Sequence, residues 1–223
     1  MGAEKNSYEL SVEVQIDALR CANDEEGWGI TEEVFARLAE TAPEWPKGRL
    51  AFRSLRIRWG EGDEGVALTF ERHVERIKNV FCWGFWRWDY LLSGKRPFNG
   101  SPVDRLRLLN GNHTHKPTIE WVTFDINANR ERSSITAVRD SRSLADELFA
   151  FVWMFPDYVR DINYETNPAP FAGGYELNVP GSSGESWRNV PYVGWGRGSA
   201  RVEVHAIWRS NNSSSYFVPV LLE

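Results

Sequence analysis

The chain has 223 residues and a net charge of −5, and 42% of its residues are hydrophobic. This length suits one large domain or two small ones, and the composition is that of a folded globular protein, which excludes global disorder. The acidic balance argues against nucleic acid as the main partner, because binding to phosphates requires a basic face. No apolar run is long enough to form a transmembrane helix, so we expect no membrane partner.

Cysteine usage and the first residues indicate the compartment. Cys21 and Cys82 are too far apart in sequence for a disulfide to be inferred, and Cys82 lies among aromatic residues, where a buried thiol is expected. The N-terminal residues lack the apolar segment of a secretory signal. We therefore expect a protein of the reducing cytoplasm.

The first two elements are predicted from periodicity and capping. Residues 8–16 alternate between apolar and polar side chains, which favours a strand whose even-numbered residues face the core. Thr31 can cap a following helix over residues 31–42, and Pro43 prevents its continuation.

A hairpin is predicted next. Residues 50–59 and 66–70 each carry alternating apolar side chains, and the glycine-rich loop between them suits a hairpin connection. The polar face of the first strand carries a small basic stripe formed by Arg53, Arg56 and Arg58. We interpret that stripe as an ordinary solvated strand face.

The stretch FCWGFWRWDYLL, residues 81–92, contains six large aromatic side chains. Apolar residues at steps of three and four favour a helix that runs from about His73 into this stretch. A strand over residues 81–90 is the alternative, because aromatic residues are enriched in strands and Gly84 is a poor helix former.

One face of a helix or strand cannot bury all six rings. The spacing assigns three residues to the core: Phe81, Phe85 and Trp88. Another three are predicted to be partly exposed: Trp83, Trp86 and Arg87. Tryptophan and arginine are the residues that dominate binding hot spots, so the second set is our predicted partner-binding site.

The second half of the chain predicts a sheet and one more helix. Residues 118–126 are apolar on both faces, as in a central strand, and a helix beginning near Leu144 ends or kinks at Pro156. Four further strands are predicted over residues 175–179, 190–195, 200–208 and 216–222. The last two are expected to form a hairpin, with Pro219 marking an edge strand.

These elements predict an α+β fold with a mainly antiparallel sheet, two principal helices, an aromatic-rich central segment and a C-terminal β meander. We expect a single domain over residues 1–223, with a β-rich subdomain over 171–223 as the alternative.

Few residues suggest catalysis. His113 and His115 form an H-x-H pair, and Asp125 could add a carboxylate to a metal site. The pair lies in a loop rich in Asn, Gly and Pro, so a surface loop is the favoured interpretation. Gly181–Gly184 reads as a turn, and the loop containing Trp195 and Arg197 could contact a planar ligand.

The absence of specific motifs favours a non-enzymatic protein-interaction domain, such as a small acidic inhibitor, immunity or accessory protein. We expect its partner to be another protein or a second copy of the chain, with no cofactor and no metal. Two alternatives remain open. One is a metal-assisted hydrolase that uses His113, His115 and Asp125. The other is a small-ligand or glycan binder that stacks on exposed tryptophans.

Overall fold

A computed structural model of the chain describes residues 6–88, 91, 106–109, 116–127, 144–179, 187–208, 216–217 and 219–222. The fold is α+β, as predicted. Its helices are α1 (Val12–Glu26), α2 (Glu32–Thr41), α3 (Gly62–Val80), α4 (Asp146–Met154) and α5 (Pro156–Arg160). Its strands are β1 (Ala51–Arg58), β2 (Phe85–Arg87), β3 (Leu106–Leu108), β4 (Thr118–Asp125), β5 (Ala169–Pro170), β6 (Tyr175–Asn178), β7 (Trp187–Gly196), β8 (Arg201–Trp208), β9 (Tyr216–Phe217) and β10 (Val220–Leu221).

The first sheet has the strand order β1-β4-β10 and is antiparallel. β4 occupies the centre and β10 the edge, which confirms the central strand over 118–126 and the edge strand after Pro219. The predicted C-terminal hairpin is wrong: β9 pairs in parallel with β5, and β10 pairs with β4. One domain over residues 1–223 stays our prediction, and the pairing of β10 with β4 links the end of the alternative subdomain to the first sheet.

The second sheet has the order β2-β8-β7-β6-β3. β7 and β8 pair antiparallel, whereas β2 joins the edge of β8 in parallel. The sheet therefore brings the middle of the predicted aromatic segment next to a strand more than a hundred residues later in the chain.

The predicted strand over residues 8–16 is wrong, because α1 starts within it. Ser11 caps α1 by accepting a hydrogen bond from the Val14 amide, and Gly27 ends the helix with a φ of 65°. The helix buries Ile16 and Leu19, whereas Val14 is 50% exposed. A short apolar pattern fits the first turns of a helix as well as a strand, so alternation alone did not decide between them.

The predicted strand over residues 66–70 is also wrong. Val66, Phe70, Val74 and Ile77 follow steps of four, four and three, and all are buried on α3. This helix stops at Val80, so the helix expected to continue through residues 81–92 is wrong as well. The strand alternative is correct for Phe85–Arg87.

The helices expected over 31–42 and from Leu144 are confirmed by α2 and α4. Every residue of α4 is buried, and the helix packs against β1 and α3. Pro156 occupies the first turn of α5, where its missing N–H is tolerated. α4 therefore lies in the core, and α5 begins where the chain returns to the surface.

Gly84 allows β2 to approach β8. A Cβ atom at this position would lie 2.6 Å from the carbonyl oxygen of Ala200 and 3.1 Å from the Cα of Arg201. The Gly84 carbonyl also accepts a hydrogen bond from the Val202 amide at 2.8 Å. Only glycine fits this contact without displacing backbone.

We expect Gly84→Ala to lower the free energy of unfolding by about 1–3 kcal/mol, because the new methyl group overpacks against backbone. Urea denaturation of the two proteins measures the difference. Gly198→Ala is the matched control, since a Cβ there meets nothing within 4 Å; its change should stay within about 0.5 kcal/mol. Equal effects at the two glycines would contradict the close approach.

Candidate functional site

The most exposed described aromatic side chain is Trp83, which is 67% exposed. α3 ends at Val80, and Phe81, fully buried, anchors the chain before it turns outward. The Arg160 guanidinium of α5 lies 5.2 Å from the Trp83 ring centroid and 5.6 Å from that of Phe81. A cation over the face of an indole is a favourable arrangement, so Arg160 orients an otherwise solvent-facing ring.

A second group of rings lies on the outer face of the second sheet. Trp88 stacks on His205 with ring centroids 4.8 Å apart, and Trp86 and Tyr192 lie at 5.3 and 5.4 Å from the same imidazole. The Arg201 guanidinium lies 5.3 Å from the Trp86 ring. Trp86 and Trp88 are half-buried, because the sheet packs them against these neighbours.

We name Trp83, Trp86, Arg160 and Arg201 the aromatic–arginine surface. Trp83 and Trp86 flank Gly84, which meets the β7–β8 turn, and each indole ring lies near one of the two guanidinium groups. Two carboxylates offset the positive charge of this surface. Asp157 accepts a hydrogen bond from Arg160 at 2.9 Å, and Glu203 accepts one from Arg201 at 3.0 Å. Trp83 has the largest exposed fraction of the four residues, so its ring has the most surface left for a contact.

Arg87, the third residue of the predicted site, is half-buried, and its guanidinium group is bonded to other residues of the chain. Its side chain is only 10% exposed, donates to Glu71 at 2.8 Å and also donates to the carbonyl of Leu91. The guanidinium additionally lies 5.5 Å from the Phe70 ring. We therefore assign Arg87 to holding β2 on α3. Phe85 and Trp88, expected in the core, are half-buried.

The basic stripe on β1 is not a solvated face, contrary to our interpretation of the sequence. Arg58 is 5% exposed and donates to Asp146 of α4, while Arg56 donates to the neighbouring Glu147. Glu120 on β4 accepts from Arg56 at 2.8 Å and lies at the solvent end. The stripe is one side of a buried ion-pair cluster between the first sheet and α4.

Arg53, the third residue of the stripe, is buried separately. It donates to the carbonyls of Pro43 and Leu10 at 2.7 and 3.1 Å, and its guanidinium lies between the rings of Trp45 and Trp121. Arg53 thereby ties the segment before α1 to β1.

Burial and charge act in opposite directions on the two carboxyl groups of α4. Burial raises the pKa of Asp146 to about 7, with the charge of Glu147 adding to the rise. The Arg56 and Arg58 guanidinium groups overcome burial at Glu147 and lower its pKa to about 2. Both carboxyl groups are completely buried, so solvent reaches the cluster only near Arg56 and Glu120.

His73 is a buried histidine with both ring nitrogens satisfied. Its Nε2 lies 3.0 Å from the Ile57 carbonyl, and its Nδ1 lies 3.2 Å from the Trp153 indole nitrogen, which can only donate. Nε2 therefore carries the proton, and burial lowers the pKa of the imidazole to about 4. This neutral histidine joins β1, α3 and α4.

The predicted metal site cannot be assembled from the described residues. His113 and His115 lie outside them. Asp125 ends β4, where its carboxylate accepts a hydrogen bond from the Asn127 amide and burial raises its pKa. No cluster of three His, Cys, Asp or Glu side chains suited to a metal is found among the residues with described positions.

Three further expectations concern single side chains. Cys82 is exposed, so the buried thiol is wrong; Cys21 is exposed too, and both are free. Trp195 is half-buried against Phe81, while Arg197 is exposed in the β7–β8 turn. The Gly181–Gly184 turn lies outside the described residues.

In the part of the chain that the structure describes, no helix is both long and apolar enough to cross a membrane. Comparison of the chain with protein-family models, curated proteins and solved structures found no match. The functional assignment therefore rests on the chain's own surfaces.

Proposed function

We propose that this protein is a non-enzymatic interaction domain that binds another protein through its aromatic–arginine surface. The observation that carries the proposal is the exposure of Trp83, 67%, beneath the guanidinium of Arg160. Exposed tryptophan beside arginine is the composition of binding hot spots. A large ring left in water loses the hydrophobic stabilisation that burial against a partner would supply.

Two features support this class over a catalytic one. Asp146, Glu147 and His73, whose pKa values are strongly shifted, are packed in the core rather than in an open cleft. Their hydrogen bonds join secondary-structure elements, which is a structural role. An inhibitor or accessory protein working in the cytoplasm fits this arrangement, and the exposed thiols of Cys21 and Cys82 suit a reducing compartment.

Trp83→Ala should reduce partner binding at least tenfold, the usual effect of truncating a hot-spot tryptophan. The melting temperature should change little, because most of the ring is already in water. The test is quantitative affinity capture from the native host with three baits: the parent chain, Trp83→Ala and Trp208→Ala.

Trp208 is the matched control. Its side chain is 55% exposed, and it is the last residue of β8. At about 3.3 Å per residue, Trp208 lies about 23 Å along the strand from Arg201, the first residue of β8, which contacts Gly84. A protein retained by the parent and Trp208→Ala baits but lost from Trp83→Ala supports the proposal. Retention of every captured protein by Trp83→Ala, or equal loss from both variants, would overturn it.

A further inference from the structure

A cleft of about 470 Å³ lies between the segment before α1 and the α4–α5 junction. Clefts of roughly 300–1,000 Å³ accommodate small ligands or single side chains. The floor and walls are apolar: Leu10 and Val14 on one side, Phe155, Pro156 and Tyr158 on the other. Val14 is half exposed here, so the apolar lining is open to solvent.

The rim of this cleft is acidic. Glu9, Asp157 and Asp161 contribute carboxylates, and all three are exposed. Arg160 pairs with Asp157 on the outside of α5, and Arg53 lies near enough to Glu9 for their charges to interact. Within the described part of the chain Asp161 has no ion-pair partner. The nearest cation is Arg49, which hydrogen-bonds Asn167 Oδ1 at 3.1 Å and is close enough to Tyr8 for its charge to act there.

Asp161 is held in place by a hydrogen-bonded tyrosine. The Tyr8 hydroxyl donates to Asp161 Oδ2 at 2.8 Å and accepts from the Asn167 amide at 2.9 Å. Burial and the neighbouring carboxylate raise the pKa of Tyr8 to about 12, so the hydroxyl keeps its proton. Tyr8 also packs edge-on against Tyr158, at 5.3 Å between ring centroids.

We propose that the cleft binds an organic cation: an ammonium or guanidinium group against Asp161, attached to an apolar body that covers Leu10, Val14 and Pro156. An apolar floor alone would accept neutral compounds. The Asp161 carboxylate favours a cation over an acid, and Glu9 and Asp157 add to this only in part, because arginines offset their charges. Trp83 does not line this cleft, although α5 and its Asp157 border both sites.

Three small probes share a phenylethyl group and differ in charge. 2-Phenylethylamine is the cation and 2-phenylethanol the neutral control, while 3-phenylpropanoate is the anion. A capped dipeptide, acetyl-Phe-Arg-amide, distinguishes a basic peptide side chain from a free amine as the source of the cation. Binding is followed by amide chemical shifts of the full-length protein during titration.

The amine or the dipeptide should shift amides within residues 7–14 and 154–161, and whichever binds tighter identifies the source. The alcohol should bind about fivefold more weakly than the amine, the effect of an exposed charge pair, and the acid should not bind. Three results would overturn the proposal: equal binding of the amine and the alcohol, no binding of either cation, or chemical-shift changes confined to other residues.

Two variants localise the effect. Asp161→Asn keeps an acceptor for the Tyr8 hydroxyl but removes the charge, and should weaken amine binding about threefold to fivefold. Asp17→Asn, on the exposed face of α1 outside the cleft, changes net charge equally and should not alter it. Val14→Trp fills the cleft from an exposed position and should abolish binding of both cations. Unchanged amine binding in Asp161→Asn and Val14→Trp would show that the cation binds elsewhere. That result would leave the proposal for Trp83 untouched, because Trp83 is not changed in either variant.

Discussion

Glu147→Ala is expected to lower the free energy of unfolding by about 3–5 kcal/mol, the usual effect of breaking a buried ion pair. Glu147 is completely buried and is bonded to Arg56, with Arg58 at 3.4 Å. Its carboxylate also accepts the Ala145 amide at 2.8 Å. Removing the side chain leaves two largely buried guanidinium groups and one amide without that acceptor.

Urea denaturation at neutral pH measures the loss. Glu120→Gln is the control, because Glu120 also bonds Arg56 but is 49% exposed, and its removal should cost less than about 1 kcal/mol. Comparable small losses in the two variants would show that the cluster is solvated after all.

The stability difference between the parent protein and Glu147→Ala should also depend on pH. Because the folded pKa of Glu147 is lowered to about 2, its stabilisation is complete above the unfolded pKa of about 4.5 and is lost as pH falls toward 2. The difference between parent and Glu147→Ala should therefore shrink over that range. A difference that stays constant down to pH 2 would contradict the ion-pair explanation.

Phe52→Ala should also cost about 3–5 kcal/mol, the typical loss for truncating a buried aromatic ring. Phe52 is fully buried on β1 and its ring contacts six others: Tyr8, Trp45, Phe124, Phe151, Phe155 and Tyr158. No single neighbour can refill a cavity bordered by so many rings. Thermal or urea denaturation gives the value.

Leu68→Ala is the exposed-site control for Phe52→Ala. Leu68 lies on α3 and is 41% exposed, so its truncation should change stability by no more than about 0.5 kcal/mol. If Phe52→Ala lost as little as Leu68→Ala, the aromatic core around β1 would be packed differently from the structure described.

Helix-breaking residues predicted helix ends better than alternation predicted strands. Pro43 and Pro156 follow the ends of α2 and α4, while Thr31 occupies the N-cap position of α2 without making a side-chain capping hydrogen bond. Alternation failed at residues 8–16 and 66–70, because short apolar patterns fit the first turns of a helix as well as a strand. In both places the helix starts inside or before the alternating residues, and distant packing decides the outcome.

The candidate site could be predicted only in part. Exposure of Trp83 followed from the excess of rings over burial capacity in residues 81–92. Arg160 could not have been linked to it, since 77 positions separate them in the chain numbering. The partners of Arg56 and Arg58 could not be identified from the sequence either. The available signal was Asp146-Glu147 at the start of an apolar helix, because carboxylates buried with such a helix need cations as partners.

Photocrosslinking from position 83 tests the central proposal most directly. A photoreactive phenylalanine analogue replaces Trp83 in the native host, and the same analogue replaces Trp208 as the control. A discrete crosslinked protein adduct from position 83, absent from position 208, is the predicted result. No adduct from position 83, or the same adducts from both positions, would contradict a binding surface centred on Trp83.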